Sequence, residues 1–493
     1  MSEPAPPSVQ RGQALAAGWP TALIRGLLAF SVMALIGQIV AFATYLASGA
    51  GSVATFAKLG WFYFGWFHHV RVVVELPGLA LGQEASQAIG GGLAGGASLS
   101  YHAGLALTLV TLLAGWLLFT AGRAVAREAG GGPVARAFHG MKVAPAYALP
   151  AFLISLVVSI DAAIPQNAFV SGRVEVHASE LEAFLFPFLV ALVAGAIGGL
   201  SVADEASRNA NPWLRRGLAA LGGGVRMFLL GLALAFVGLL VLAVVQPDAT
   251  KAYFSAVSEP PADETAVLIA HHVLVLPNQS MWVLVPAMGS CDGAYGSGFS
   301  VPFLCYWKFP KSVEASLISP QLGLGGASSP VSARFGWAPF GYFLFLLVPL
   351  LSVVAGGWHA ARRGMARTPS EGGALGAAAG VVFAIFVAVG IWFSSITAGI
   401  TASFLGISGG GSIRIGPDLL GGGITALAWG VAGGSIGGWW MGRRVPAPPP
   451  EATGFGPGPM LPPPPSAGAP VAPEPVPPGE SAPPDEPEPW AQG

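Results

Sequence analysis

The chain has 493 residues, 53% of them hydrophobic and only 10% charged, with a mean hydropathy of +0.64. No soluble domain of this size is so apolar, so the composition points to an integral membrane protein whose first partner is the lipid bilayer. Twenty-three basic against 24 acidic residues, with no basic stripe, exclude nucleic acid as an expected partner.

A hydrocarbon core of about 30 Å takes roughly 20 apolar residues per helix, and backbone amides in lipid must pair within the segment. Such stretches lie, in chain order, near 22–47, 103–122, 143–160, 183–203, 226–245, 337–358, 374–395 and 419–442. They predict an all-α polytopic membrane protein of eight transmembrane helices. With the N-terminus inside, short inner loops carry Arg123, Arg127, Arg136, Lys142, Arg208, Arg215, Arg216, Arg362, Arg363 and Arg367, as the positive-inside rule demands. Both termini then lie in the cytoplasm. No cleavable signal peptide is expected, because the first apolar run is too long. Arg outnumbers Lys 18 to 5 in a chain rich in Ala, Gly and Pro, which suggests a GC-rich bacterial genome and a bacterial plasma membrane.

The chain accordingly divides into a cytoplasmic segment (1–21), a four-span unit (22–210) with outer loops 48–102 and 161–182, a second unit (211–444) with outer loops 246–336 and 396–418, and a tail (445–493). The two units resemble each other. Small residues recur every fourth position as Ala191, Gly195, Gly199 and Ala203 in the fourth span and as Gly430, Gly434, Gly438 and Gly442 in the eighth, at an offset of 239. A second anchor is His68-His69-Val70 against His271-His272-Val273, at an offset of 203. Four spans per unit predict two parallel repeats about an axis along the membrane normal. Small residues at this spacing let helix backbones approach closely where no hydrophobic drive exists, so each stripe is expected to pack within its own half or against the other.

Each outer loop holds a β-branched run: Val70–Leu76, Gly172–His177, His272–Leu276 and Ser412–Gly416. Paired strands above the helices are expected from them. Ser179 and Glu182 have capping-box spacing, and Asp418 stands where an N-cap is needed. The aromatic run Gly60–Phe67, crowded by Lys58, His68, His69 and Arg71, is read as an interfacial or re-entrant helix rather than a ninth span. Pro145, Pro150, Pro187, Pro339 and Pro349 should bend their helices.

Chemistry is sparse. Two His-His pairs, His68, His69, His271 and His272, could meet as ligands for Zn or Cu. No diagnostic spacing supports this, and hydrogen-bonded structural histidines are the preferred reading. Cys291 and Cys305, the only cysteines, flank a glycine-rich outer segment and are expected to form a disulfide. Gly406-Ile-Ser-Gly-Gly410 fits a nucleophile-elbow string around Ser408, and Asn278-Gln-Ser280 fits a glycosylation sequon. Both are read as chance matches. No intramembrane ionisable pair marks a proton path, no enzyme is expected, and no cofactor is implied.

The tail holds 19 prolines, six acidic residues and no Lys or Arg, so it is expected to be disordered with polyproline II character. Pro462–Pro465 resembles the ligands of cytoplasmic proline-binding modules. The expectation for function is a non-enzymatic envelope scaffold that stabilises partner proteins through its outer loops and recruits others through its tail. The alternative is a transporter or channel for a small or apolar solute, with a path between the repeats lined by Gln38 or by Ser and Thr.

Overall fold

A computed structural model describes residues 16–48, 52–81, 97–164, 170–202, 211–245, 273–296, 299–307, 309–312, 334–338, 340–404 and 407–444. Its elements are, in chain order, α1 (Trp19–Ser48), α2 (Val53–Trp66), β1 (Val72–Leu81), β2 (Ala97–Gly104), α3 (Thr108–Ala129), α4 (Pro133–Met141), α5 (Val143–Ser155), β3 (Ser159–Ile164), β4 (Val170–Ala178), α6 (Glu180–Leu200) and α7 (Pro212–Val245). There follow α8 (Leu276–Ala287), β5 (Asp292–Gly296), β6 (Phe299–Leu304), β7 (Phe309–Ser312), β8 (Arg334–Gly336), a 3-10 segment Phe340–Leu346, α9 (Leu347–Arg363), α10 (Pro369–Ser394), β9 (Ile396–Phe404), β10 (Ile407–Pro417) and α11 (Leu419–Arg443).

Among the described residues, seven helical stretches are long and apolar enough to cross a membrane: Trp19–Leu46, Thr108–Ala129, Glu180–Leu200, Pro212–Leu242, Phe340–Arg363, Pro369–Ser394 and Leu419–Arg443. The protein is a multi-pass membrane protein. The stretch expected as a third span over 143–160 differs: α5 has 13 residues, and the chain turns into β3 at Ser159. Immediately before it lies α4, nine residues separated from α5 only by Lys142. The break has a covalent cause. Pro145 has no N–H for the Met141 carbonyl, so the helical ladder is interrupted there. Similarly, Pro349 denies a partner to the Phe345 carbonyl, and the turns before it are 3-10.

Among the described residues, eight strands form one antiparallel sheet in the order β3-β4-β1-β2-β9-β10-β5-β6, and β7 and β8 pair separately. Strands appear over three of the four β-branched runs. The fourth, His272–Leu276, is not a strand: Val273 and Leu274 are helical, Leu276 opens α8, and His272 lies outside the described residues. The helical spacing of Leu276, Met281, Leu284 and Val285, all but the first buried, overrides the local β propensity. The aromatic run forms the end of α2, whose Phe62, Tyr63 and Phe64 are buried. Capping is divided. Asp418 accepts from the amides of Leu420 and Gly421, whereas the expected box at Ser179 does not form. Ser179 makes no side-chain cap, and Glu182 takes the amide and guanidinium of Arg71 instead.

Each half has its own apolar core. Met33, Phe67, Leu118, Tyr147 and Ala191 belong to one; Met227, Leu284, Val353, Phe383 and Ile391 belong to the other. The glycine stripes close these cores from within. A methyl group on Gly195 would lie 2.4 Å from the Gly140 carbonyl oxygen, and one on Gly434 2.4 Å from that of Gly376. Gly199 abuts the Arg136 carbonyl, Gly438 that of Gly372, Gly442 that of Thr368, and Gly430 lies against Gly380. Ala191 is fully buried and Ala203 lies outside the described residues. Thus α6 and α11 each pack into their own half.

Candidate functional site

The halves meet chiefly where β2 pairs with β9, from Ser98↔Ser403 to Gly104↔Thr397. Beside this seam lies a cavity of about 1070 Å³. Local backbone geometry places its first wall. Helix α2 ends at Trp66, the amides of His68 and Val70 both donate to the Gly65 carbonyl, and His69 takes a left-handed φ of 62°. That turn throws the two histidines apart. His68 points into the core, where its Nδ1 donates to the Phe64 carbonyl and its Nε2 accepts from the Tyr147 hydroxyl at 2.8 Å. His69 lines the cavity.

Arg71 follows, held by two oxygens of one carboxylate. Its backbone amide donates to Glu182 Oε2 at 2.9 Å and its Nε to Glu182 Oε1 at 2.6 Å. The amide of Ser179 donates to the Arg71 carbonyl, tying the start of α6 to the start of β1. The opposite wall is the glycine-rich part of β10, with Arg414 at its end and Tyr295 of β5 beside it. Phe186 of α6 and Trp392 of α10 also line it, their rings edge to face at 5.0 Å.

The electrostatics of the cavity are unusual for a membrane protein. His69 is only 3% exposed, and its Nδ1 has no hydrogen-bond partner. Its ring meets Trp392 edge to face at 4.7 Å. Burial lowers its pKa to about 4; Glu182 raises it and Arg71 lowers it further. His102 lies over Gly399, where a methyl group would fall 2.2 Å from the imidazole, so only glycine admits the ring. Its pKa is also lowered, by burial first and Arg71 second, against a raising effect of Glu182. The Arg414 guanidinium donates to Ser395 Oγ and the Pro417 carbonyl and sits 4.5 Å from the centre of the Tyr295 ring. Burial raises Tyr295 to about 12.

No family model, curated protein or solved structure matches the chain.

The expected site residues scatter. His271 and His272 lie outside the described residues, and the turn that matches His68-His69 in hydrogen bonding is Met288-Gly289. There the amides of Met288 and Ser290 donate to the Val285 carbonyl, and Gly289 has φ 92°. Among the described residues no three His, Cys, Asp or Glu side chains gather to hold a metal ion. Cys291 and Cys305 form a disulfide with Cα atoms 4.7 Å apart, joining the start of β5 to the residue after β6. Ser408 lies within β10, cross-strand from Ser403, in a hairpin and not at a strand-to-helix elbow.

Two residues were invisible as functional candidates. Asn278, read only as part of a sequon, is 5% exposed and clasps the halves: its Nδ2 donates to the Ala106 carbonyl at 2.9 Å, and its Oδ1 accepts from Thr108. Asp292 is fully buried beside the disulfide, and neither carboxyl oxygen has a partner. Burial holds its pKa well above the usual carboxylate range. Local sequence carried no signal for either: Asn278 stands in the polar run Asn278-Gln-Ser280, and Asp292 in a glycine-rich segment.

Proposed function

We propose that the protein is a non-enzymatic scaffold of a bacterial plasma membrane, built from two parallel four-span repeats and offering its sheet to partner proteins. The carrying observation is the sheet. Strands from both halves join in one continuous ladder, each half contributing four in the same order, above helices whose small residues bring backbones into contact. Such a joint makes a rigid platform from two otherwise separate bundles.

The register supports the repeat. Val72 pairs with Ala178 in β1–β4, and Asp292 with Pro417 in β5–β10. Positions 178 and 417 differ by the 239 of the glycine stripes, and Gly198 and Gly437, also 239 apart, abut the carbonyls of Phe119 and Val354. Counting α4 and α5 together as one bent crossing gives eight spans and both termini on the same side, the cytoplasmic one in our reading of the Arg and Lys distribution.

A transport path through the cavity would have to pass Phe186 and Trp392, apolar rings packed edge to face in its lining. Gln38, a candidate for lining such a path, donates to the Ala57 carbonyl and packs on Gly60. Both observations favour the scaffold. Its test is crosslinking in native membranes, comparing what co-purifies with the full chain and with one ended at Arg444. Partners captured by both place recognition in the bundle or sheet; partners lost on truncation assign it to the proline-rich tail. Capture of nothing by either chain would sink the scaffold reading.

A further inference from the structure

Beyond a platform role, the cavity at the sheet seam has the make-up of a ligand site, and the polar groups around it share one bias. Arg71 is balanced by Glu182, but among the described residues Arg414 has no carboxylate at ion-pair distance. Asp418 acts on it only from farther away, and its two oxygens accept from the amides that begin α11. The lining therefore carries one positive charge in excess. It also carries polar groups without partners. The Nδ1 of His69 is buried and unpartnered. On the side where β10 pairs with β5, the ladder covers only Ile413–Pro417, so among the described residues no strand pairs there with Gly409, Gly410 and Gly411. A methyl group on Gly409 or Gly411 would meet nothing within 4 Å. Open space, a backbone edge that no described strand pairs and a guanidinium without a carboxylate partner coincide.

The surroundings specify the rest of the ligand. Phe30 of α1 packs on Phe64 of α2 at 5.3 Å, five positions before His69. Beyond that level α1 still exposes Leu35, Ile39, Phe42 and Leu46, roughly 24 Å farther along at 1.5 Å per residue. In the other half, Gly231 of α7 lies against Leu284 of α8, and α7 continues with exposed Val241, Val244 and Val245. Exposed apolar side chains of this kind face acyl chains. The depth of His69, Phe186 and Trp392 is thus a depth at which both flanking helices are still in contact with lipid.

We infer that this cavity binds an anionic amphiphile, its charged group between Arg414, the glycine edge of β10 and His69, and its apolar part along Phe186 and Trp392. A phosphate ester fits these groups: guanidinium and backbone amides bind its oxygens, and the His69 ring lines the same wall. The charged group can come from a membrane lipid or from a soluble phosphate.

The test uses the full chain purified in detergent and native mass spectrometry. Dioleoyl phosphatidylglycerol and dioleoyl phosphatidylcholine are titrated separately, with glycerol 3-phosphate as the soluble arm. Retention of one phosphatidylglycerol per chain, at concentrations where phosphatidylcholine is not retained, is the expected result. Arg414→Gln should weaken it about tenfold, the loss of one charge-assisted contact. Gly411→Leu, which fills open space without changing charge, should abolish it while the melting temperature holds. Arg173→Gln, on an exposed pair with Asp161, should leave binding unchanged. Glycerol 3-phosphate binding as tightly as the lipid would assign the site to a soluble anion; binding of the lipid alone assigns it to the bilayer. Equal retention of both lipids with no binding of glycerol 3-phosphate, or phosphatidylglycerol retention unaffected by Gly411→Leu, overturns the inference.

Discussion

Two buried polar side chains show how a single residue can outweigh its apolar surroundings. Asn278 has no neighbour that could replace its bonds to Ala106 and Thr108, so Asn278→Ala strands buried groups on both sides of the junction. The cost is about 1–3 kcal/mol, to be measured as a fall in the denaturant or thermal midpoint; an unchanged midpoint would show that the clasp contributes nothing. Asp292 acts in the opposite sense. Its folded-state pKa is raised by burial above the ordinary 3.8, so the folded chain holds a proton that the unfolded chain releases. Stability is therefore lost as pH rises from about 4 toward the raised value. Asp292→Asn removes that loss, and its melting temperature should exceed that of the native chain by more at pH 8 than at pH 5. A gap independent of pH would mean that the carboxyl is ionised in the fold.

Among the elements, the spans owe their packing to the absence of side chains. Where two helix backbones touch, any added carbon must displace one of them. Gly434→Ala places a methyl group 2.4 Å from the Gly376 oxygen, whereas at Gly115 a methyl group meets nothing within 4 Å. The first substitution should cost about 1–3 kcal/mol as overpacking. The second should be neutral or slightly stabilising, because alanine is the better helix former. Paired thermal melts in one detergent decide it, and similar losses at both positions would remove the glycine stripes from the account. Proline operates at the same scale. Pro145 stands at the break between α4 and α5, and α5 runs only 13 residues before the chain turns toward β3, too short to count as a crossing by itself.

The whole molecule carries the consequence of that count. Eight crossings put residue 12, the loop at 131 and the chain end beyond 445 on one side, with the β3–β4 hairpin on the other. Alkaline phosphatase fused after residues 12, 131 and 446 should then be inactive in cells, and active when fused after 164. Opposite activities at 12 and 446 would establish an odd number of crossings. Much of this organisation was legible from local pattern. Apolar length marked the helices, β-branched runs marked three of the strands, and the fourth-residue recurrence of glycine marked faces that do make backbone contact. Local pattern failed where two local preferences competed. His272–Leu276 has the composition of a strand but belongs next to a helix, because α8 buries its side chains at helical spacing. Ser179 and Glu182 have capping spacing, but Arg71, more than a hundred residues away, takes the carboxylate.

By itself the sequence determined class and local form: a membrane protein, its long helices, its glycine contacts and a cap of strands, all written in hydropathy and spacing within one element. Only the tertiary structure decided the seam between β2 and β9, the clasp at Asn278 and the cavity that joins His69 and Arg71 to Trp392 and Arg414. Those groups lie hundreds of residues apart. No periodicity within a helix or strand carries information about a partner in the other half, and the partner is chosen by how two finished bundles fit together.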